Sequence, residues 1–155
     1  MAENPHFKEL LLRLNEFEAR YLIVGGYAIM KYTEPRFTKD LDIWVDNSAE
    51  NALHVFNALE KFGAPLASDE ITPQTFTGDN LTYQIGMAPI RIDILTRITG
   101  VNFVDAWEDR VHGSIFGVSV NFISLAKLIA NKEATARRGD LEQLTHLRKR
   151  TESGC

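Results

Sequence analysis

The chain has 155 residues, 45% hydrophobic and 25% charged, which is enough apolar material for the core of one globular domain. Its formal net charge of −4 argues against a general nucleic-acid coat protein, although a local basic patch stays compatible with it. The single cysteine, Cys155, excludes a disulfide framework, and the sequence shows no signal-peptide pattern and no apolar run of membrane-spanning length. These features predict a cytoplasmic protein.

Strand-like and helix-like segments alternate along the chain, with turn-forming residues between them. Helices are predicted over residues 5–18, 26–33, 48–62, 102–111, 124–137 and 140–149. Strands are predicted over residues 20–26, 40–45, 81–87 and 89–96, followed by a hairpin within 113–124, while 64–80 resembles a loop. Ser48 and Gly63 are expected to cap the third helix. This order predicts an α/β (α+β) fold with a mixed β-sheet flanked by helices.

Three aspartates on two of these strands are the main candidates for a functional site. Side chains alternate between the faces of a strand, so Asp40 and Asp42 share one face of DLDIWV, roughly 7 Å apart. The segment PIRIDIL repeats this pattern, with Arg91 and Asp93 on its polar face. If the two strands are neighbours, Asp93 completes a cluster of three carboxylates.

Such a cluster has two interpretations. Like charges this close repel each other unless a cation lies between them, and Mg²⁺ prefers oxygen ligands together with substrate phosphates. The first interpretation is therefore a Mg²⁺ site. In the second, Arg36, Lys39 and Arg91 pair with the aspartates at the surface, and no metal is involved.

A glycine pair, Gly25-Gly26, follows the first strand, with thirteen residues between Gly26 and Asp40. Glycines between a strand and a helix often only form a tight turn. They also allow a phosphate to approach the backbone N–H groups at the start of a helix. The pair alone is weak evidence, and its position upstream of the aspartates makes it informative.

Together these motifs resemble the signature of the nucleotidyltransferase superfamily that includes DNA polymerase beta. The matching segments are VGG, KDLDI and RIDIL. More narrowly, residues 20–147 resemble small bacterial nucleotidyltransferases of the abortive-infection toxin kind. The resemblance implies a minimal nucleotidyltransferase fold: one domain over 1–155, with a core at about 20–122 and a short extension of C-terminal helices at about 123–150.

The resemblance also implies roles for individual residues. Gly25 and Gly26 would hold the phosphates of the nucleotide, and Asp40 and Asp42 would bind catalytic Mg²⁺. Asp93 would be a third metal ligand, or the base that activates the acceptor hydroxyl.

Positively charged and hydroxyl side chains would complete the nucleotide site. Thr38 and Lys39 flank the aspartate pair and could contact the triphosphate. Lys132 lies on an apolar helix stripe, from which its ammonium either reaches the nucleotide or extends to solvent.

Three further residues are weaker candidates. Arg36 could steer phosphate or only neutralise the aspartates, and Arg91 has the same two alternatives. Asp140 matches a functional aspartate of the resembling toxins, but it also suits a helix N-cap with Gln143 in a capping box.

The predicted function is transfer of a nucleoside monophosphate from an NTP to a hydroxyl acceptor, with two Mg²⁺ ions and release of pyrophosphate. The acceptor could be tRNA, a protein or a small molecule, and the enzyme could belong to a toxin–antitoxin or defence system with a toxin or antitoxin partner. The alternative is a non-catalytic module that binds a nucleotide or a partner and has kept the fold. The sequence leaves the NTP, the acceptor and the oligomeric state open.

Overall fold

The computed structural model describes residues 4–34, 39–87, 90–135 and 138–152. These residues form six α-helices, six strands and one short 3-10 helix. The helices are α1 (Pro5–Glu16), α2 (Gly25–Tyr32), α3 (Ala49–Phe62), α4 (Phe103–Glu108), α5 (Leu125–Thr135) and α6 (Arg138–Glu152). The strands are β1 (Tyr21–Val24), β2 (Asp40–Val45), β3 (Thr82–Met87), β4 (Ile90–Leu95), β5 (Val111–Ile115) and β6 (Val118–Phe122). The 3-10 helix, Pro73–Thr77, lies inside the segment predicted as loop.

All six strands belong to one mixed sheet in the order β3-β4-β2-β1-β6-β5. Strand β1 pairs antiparallel with β2, as β3 does with β4 and β5 with β6. Strand β2 pairs in parallel with β4, and β1 with β6. The predicted α/β class, with a mixed sheet and flanking helices, is therefore confirmed.

The two faces of the sheet have different surroundings. Ile92 of β4 lines a cavity together with Phe7 and other residues of α1 and α3. Adjacent residues of a strand point to opposite faces, so Asp93 belongs to the other face. On that face, Trp44 packs edge to face against Phe103 of α4, with the ring centroids 5.1 Å apart. The aspartates therefore lie on the face opposite α1 and α3.

The helix termini test the predicted caps. The Ser48 side chain accepts a hydrogen bond from the Asn51 backbone N–H, and Gly63 ends α3 with φ +96°. Both predicted caps of this helix are confirmed. Helix α6 already includes Arg138, so Asp140 lies inside the helix and is not the N-cap that the sequence predicted.

Buried apolar side chains form one cluster, which extends from Phe7 in α1 to Leu147 in α6. Phe76 of the 3-10 helix is fully buried and contacts Tyr83 of β3, with ring centroids 6.2 Å apart. Among the described residues, no helix combines the length and the apolar character needed to cross a membrane. The division into a core at about 20–122 and a helical extension at about 123–150, within one domain, stays a prediction.

Candidate functional site

Parallel pairing of β2 with β4 brings the three predicted aspartates together. Asp42 lies opposite Asp93 in the register, and Asp40 lies opposite Arg91. The Asp93 side chain is 10% exposed and that of Asp40 is 40% exposed, so the cluster extends from a buried inner end to an open outer end. The condition that the sequence left open, adjacency of the two strands, is met.

Arg91 connects the inner and outer carboxylates. Its Nε donates to Asp93 Oδ1 at 2.9 Å, and its Nη2 donates to Asp93 Oδ2 at 3.2 Å. The same Nη2 donates to Asp40 Oδ2 at 3.3 Å. Arg91 thus pairs with two carboxylates, as the second interpretation of the sequence predicted for this arginine.

The Asp42 carboxyl group lies in an electrostatic environment that disfavours its charged form. Burial, the charge of the adjacent Asp93 and a hydrogen bond with it together raise the pKa of Asp42 to about 7. Asp40 adds a smaller effect in the same direction, and Arg91 opposes them only in part. Arg91 therefore leaves part of the repulsion at Asp42 unrelieved, and a further cation there would reduce it.

Gly25 is required by the close approach of Asp42. Val24, the last residue of β1, is opposite Asp42 in the sheet register. Gly25 follows with φ +67°, and a Cβ added there would collide with Asp42 Oδ2. Gly25 thus makes a tight turn and leaves room for a carboxylate against the start of α2, where Gly26 is the second residue.

The other predicted site residues are described only in part, or lie outside the described residues. Lys39 is exposed, and its carbonyl accepts a hydrogen bond from the Arg91 backbone N–H at 3.4 Å. Lys132 is partly exposed on α5, a helix that contacts α2. Arg36 and Thr38 lie outside the described residues, as does the side chain of Asp140. The roles of all five stay predictions.

The chemistry of the clustered side chains bears on whether they fit a divalent cation. Within the described ranges, no three His, Cys, Asp or Glu side chains are gathered into a group that could hold an ion. The donors at the cluster are nevertheless all carboxylate oxygens, the type that Mg²⁺ requires. The side chain of Arg91, which contacts Asp40 and Asp93, is 34% exposed and can therefore rotate toward solvent. The residues therefore fit a divalent cation on condition that Arg91 releases the carboxylates.

A second polar region lies at the other end of β2, around a cavity of about 430 Å³. Its lining side chains are Glu18, Arg20, Asp46, Ser48, Glu50, Asn51 and His54. The buried Asn51 side chain accepts from the Arg20 N–H and donates to the carbonyls of Arg20 and Asp46. These bonds connect the segment before β1, the end of β2 and α3, so this region has a structural role.

The sequence did not predict how Arg91 holds the carboxylates. The only signal for it was the spacing of Arg91 two residues before Asp93, which puts both side chains on one strand face. The bridge to Asp40 depends on the parallel pairing of β2 with β4, which no local pattern indicates.

No protein-family model matches the chain, and no curated protein matches its sequence. Its structure is similar to that of a proposed nucleotidyltransferase from Thermotoga maritima, with 16% identity and a TM-score of 0.57 over 95% of this chain and 91% of that one. It is also similar to the lincosamide antibiotic adenylyltransferase LnuA in its lincomycin-bound crystal structure, with 15% identity and a TM-score of 0.58 over 95% and 97%. At these identities the likeness concerns the fold. The chain therefore has a nucleotidyltransferase-like fold, as its motifs predicted.

Proposed function

We propose that this protein is an enzyme that transfers a nucleoside monophosphate from an NTP to a hydroxyl acceptor, with Mg²⁺ as cofactor. The observation that carries the proposal is the position of Asp42, which lies opposite Asp93 and against Gly25. Carboxylates at such short range repel each other unless a cation or a proton lies between them, and clusters of this kind are frequent at functional sites. The nucleotidyltransferase-like fold supports nucleotidyl transfer as that use.

In this proposal, Asp40, Asp42 and Asp93 hold the metal. Bound Mg²⁺ supplies positive charge that stabilises the attacking and leaving oxygens, and two ions are the usual arrangement for such a displacement. Gly25 and Gly26 direct the N–H groups of the first turn of α2 toward the phosphates of the NTP. Lys39, Lys132, Thr38 and Arg36 are proposed to contact the triphosphate.

The reaction forms one bond and breaks one. The acceptor hydroxyl oxygen attacks the α-phosphorus, and the bond from that phosphorus to the oxygen bridging to the β-phosphate breaks. Pyrophosphate leaves with the bonding electrons. The hydroxyl proton goes to a base, for which Asp93 is the proposed candidate when it does not serve as a metal ligand.

A small hydroxyl-bearing molecule is the favoured acceptor, and ATP the favoured donor. LnuA is an adenylyltransferase with lincomycin bound, and this chain aligns with 97% of its length. A tRNA or protein acceptor, and a place in a toxin–antitoxin or defence system in the cytoplasm, remain alternatives within the same chemistry. They are supported by the resemblance of the motifs to the toxin group.

The first test is Mg²⁺-dependent NTP binding, measured by titration calorimetry with each of the four NTPs. Wild type is compared with Asp42→Asn and with Asp46→Asn, the same substitution at the other end of the strand. We expect binding that requires Mg²⁺, is lost in Asp42→Asn and is retained in Asp46→Asn. Absence of binding by folded wild type would contradict the proposal.

That negative result would favour the non-catalytic module. One observation supports this second candidate: Arg91 already satisfies two of the carboxylates, as in a structural ion network. The two candidates differ most simply in pyrophosphate release. A panel of acceptors, comprising a lincosamide, an aminoglycoside, bulk tRNA and cell-extract protein, should give release with one class under the first proposal and with none under the second.

A further inference from the structure

The position of Arg91 has a consequence for how the metal binds. Its guanidinium contacts both oxygens of Asp93 and one oxygen of Asp40, at 2.9 to 3.3 Å. Asp40 and Asp93 are two of the three carboxylates that the proposed function assigns to the cation. An oxygen that accepts a hydrogen bond from Arg91 is not free to coordinate a metal on the same side.

We propose that Arg91 is a resident counter-cation that competes with the divalent metal for Asp40 and Asp93, so that metal binds weakly until the nucleotide arrives with it. This inference rests on the proposed function. It assigns Arg91 a regulatory role at the metal site, beyond the surface neutralisation that the sequence allowed.

The geometry indicates that Arg91 competes with the metal through a two-bond contact of its guanidinium, and not through its charge alone. Arginine holds a carboxylate through two parallel N–H groups, and such charged hydrogen bonds are stronger than neutral ones. Asp93 accepts this two-bond contact and its side chain is only 10% exposed, whereas Asp40 accepts one bond from Arg91 at the open end. Release of Arg91 therefore removes bonds from a buried carboxylate, a cost that the incoming cation must offset.

The nucleotide supplies what a free metal ion lacks. Mg²⁺ commonly takes one or two carboxylates together with substrate phosphates, so a nucleotide-bound ion brings part of its coordination with it. The released guanidinium can then meet phosphate oxygens, which are good acceptors for it. The exposed part of Arg91 makes this movement accessible, since the side chain is 34% exposed.

The test measures binding of Mn²⁺ alone, by electron paramagnetic resonance, as a detectable substitute for Mg²⁺. The variants are Arg91→Gln and Arg91→Lys. Arg91→Gln removes the charge and the two-bond contact, whereas Arg91→Lys keeps the charge and removes the two-bond contact. Arg97→Gln is the matched control, because Arg97 is an exposed arginine that follows the same strand. Thermal unfolding with and without Mg²⁺ gives a second readout and shows whether each variant folds.

We expect Arg91→Gln and Arg91→Lys both to bind Mn²⁺ with a Kd about tenfold lower than that of wild type, and Arg97→Gln to match wild type. We also expect both Arg91 variants to have a lower Tm without metal and a larger rise in Tm when Mg²⁺ is added. If Arg91→Gln does not fold, the Arg91→Lys result decides alone.

Tighter binding in Arg91→Gln with wild-type binding in Arg91→Lys would still support competition, through the charge of Arg91 and not through its two-bond contact. Equal or weaker binding in both variants would show that Arg91 supports the site and does not compete for it. Both results leave the proposed function intact. Absence of metal binding in every variant, with or without NTP, would overturn the proposed function and the inference together.

Discussion

The two ends of strand β2 hold similar residues in opposite electrostatic situations. At its beginning, Asp40 and Asp42 lie beside Asp93, with Arg91 bonded to two of the three carboxylates. Just beyond its end, Asp46 Oδ2 lies 4.0 Å from Arg20 Nη1 and accepts a hydrogen bond from the Ser48 hydroxyl. Among the described residues, Arg91 bonds to two of three adjoining carboxylates at the first end, whereas Arg20 lies beside Asp46 at the second.

Hydrogen bonding shows what each end contributes. Around Asp46, Asn51 bonds to backbone groups of Arg20 and Asp46, so the polar atoms connect elements of the fold. At the first end, the carboxylates repel each other, and burial next to Asp93 raises the pKa of Asp42 to about 7. The bonds around Asn51 stabilise the protein, whereas the proposed function assigns the repelling carboxylates at the first end to a ligand.

The largest expected effect is on turnover at the first end. Asp93→Asn should lower pyrophosphate release at least about a hundredfold, since loss of a general base typically costs this much. The NTP affinity, measured in parallel by calorimetry, separates the two roles of Asp93. Unchanged affinity indicates the base, and lost affinity indicates the metal ligand. Turnover near that of wild type would exclude both roles.

Replacement of Asn51 should affect stability and leave the candidate site intact. Asn51→Ala leaves the Arg20 N–H and two carbonyls without their side-chain partner, for an expected loss of about 2–4 kcal/mol in the free energy of unfolding. Asn131→Ala is the control, because that exposed amide bonds only to the Thr99 carbonyl among the bonds described, and should cost less than about 1 kcal/mol. Chemical denaturation measures both variants. A weaker Mg²⁺–NTP affinity in folded Asn51→Ala would show that the two ends are connected.

Gly25 and Gly63 provide a matched pair of glycines with positive φ. A Cβ at Gly63 would meet no atom within 4 Å, so Gly63→Ala should cost only the backbone strain, about 1–2 kcal/mol. Gly25→Ala carries similar strain and also displaces the Asp42 carboxylate, so it should cost roughly 1 kcal/mol more. It should also weaken Mg²⁺–NTP binding at least about tenfold, which Gly63→Ala should not do. Equal stability and binding in the two variants would contradict the close approach of Asp42 to Gly25.

The smallest expected effect is the pH dependence of stability without divalent metal. The pKa of Asp42 is raised in the folded protein, from 3.8 to about 7, so its protonated form stabilises the fold. This contribution is complete below about pH 4 and is lost as the pH rises through about 7. We expect a decrease on the order of 2 kcal/mol in the free energy of unfolding over this range, since one pKa unit corresponds to about 1.4 kcal/mol and the charge is shared with Asp93.

Denaturation at several pH values in the presence of a chelator measures this slope. Asp42→Asn should flatten it, and Asp46→Asn should retain it. Added Mg²⁺ should restore stability most above pH 7, where Asp42 is charged. A slope that is unchanged in Asp42→Asn would assign the pH dependence to other groups.

The sequence by itself determined the class of fold and identified the three aspartates that the structure brings together. Periodicity predicted the mixture of strands and helices, and Ser48 and Gly63 correctly marked the ends of α3, because caps depend on local backbone chemistry. Strand alternation put Asp40 and Asp42 on one face. The predicted cap at Asp140 is wrong, because this residue lies inside α6, which already includes Arg138.

Only the tertiary structure decided how these parts meet. Pairing of β2 with β4 joins residues separated by about fifty positions in the chain, a contact set by packing and not by local pattern. That pairing puts Asp42 opposite Asp93 and lets Arg91 reach Asp40. The requirement for glycine at position 25 also appears only when Asp42 approaches from the neighbouring strand. Local sequence fixes which face a side chain takes, whereas the distance between two charges depends on which strands become neighbours.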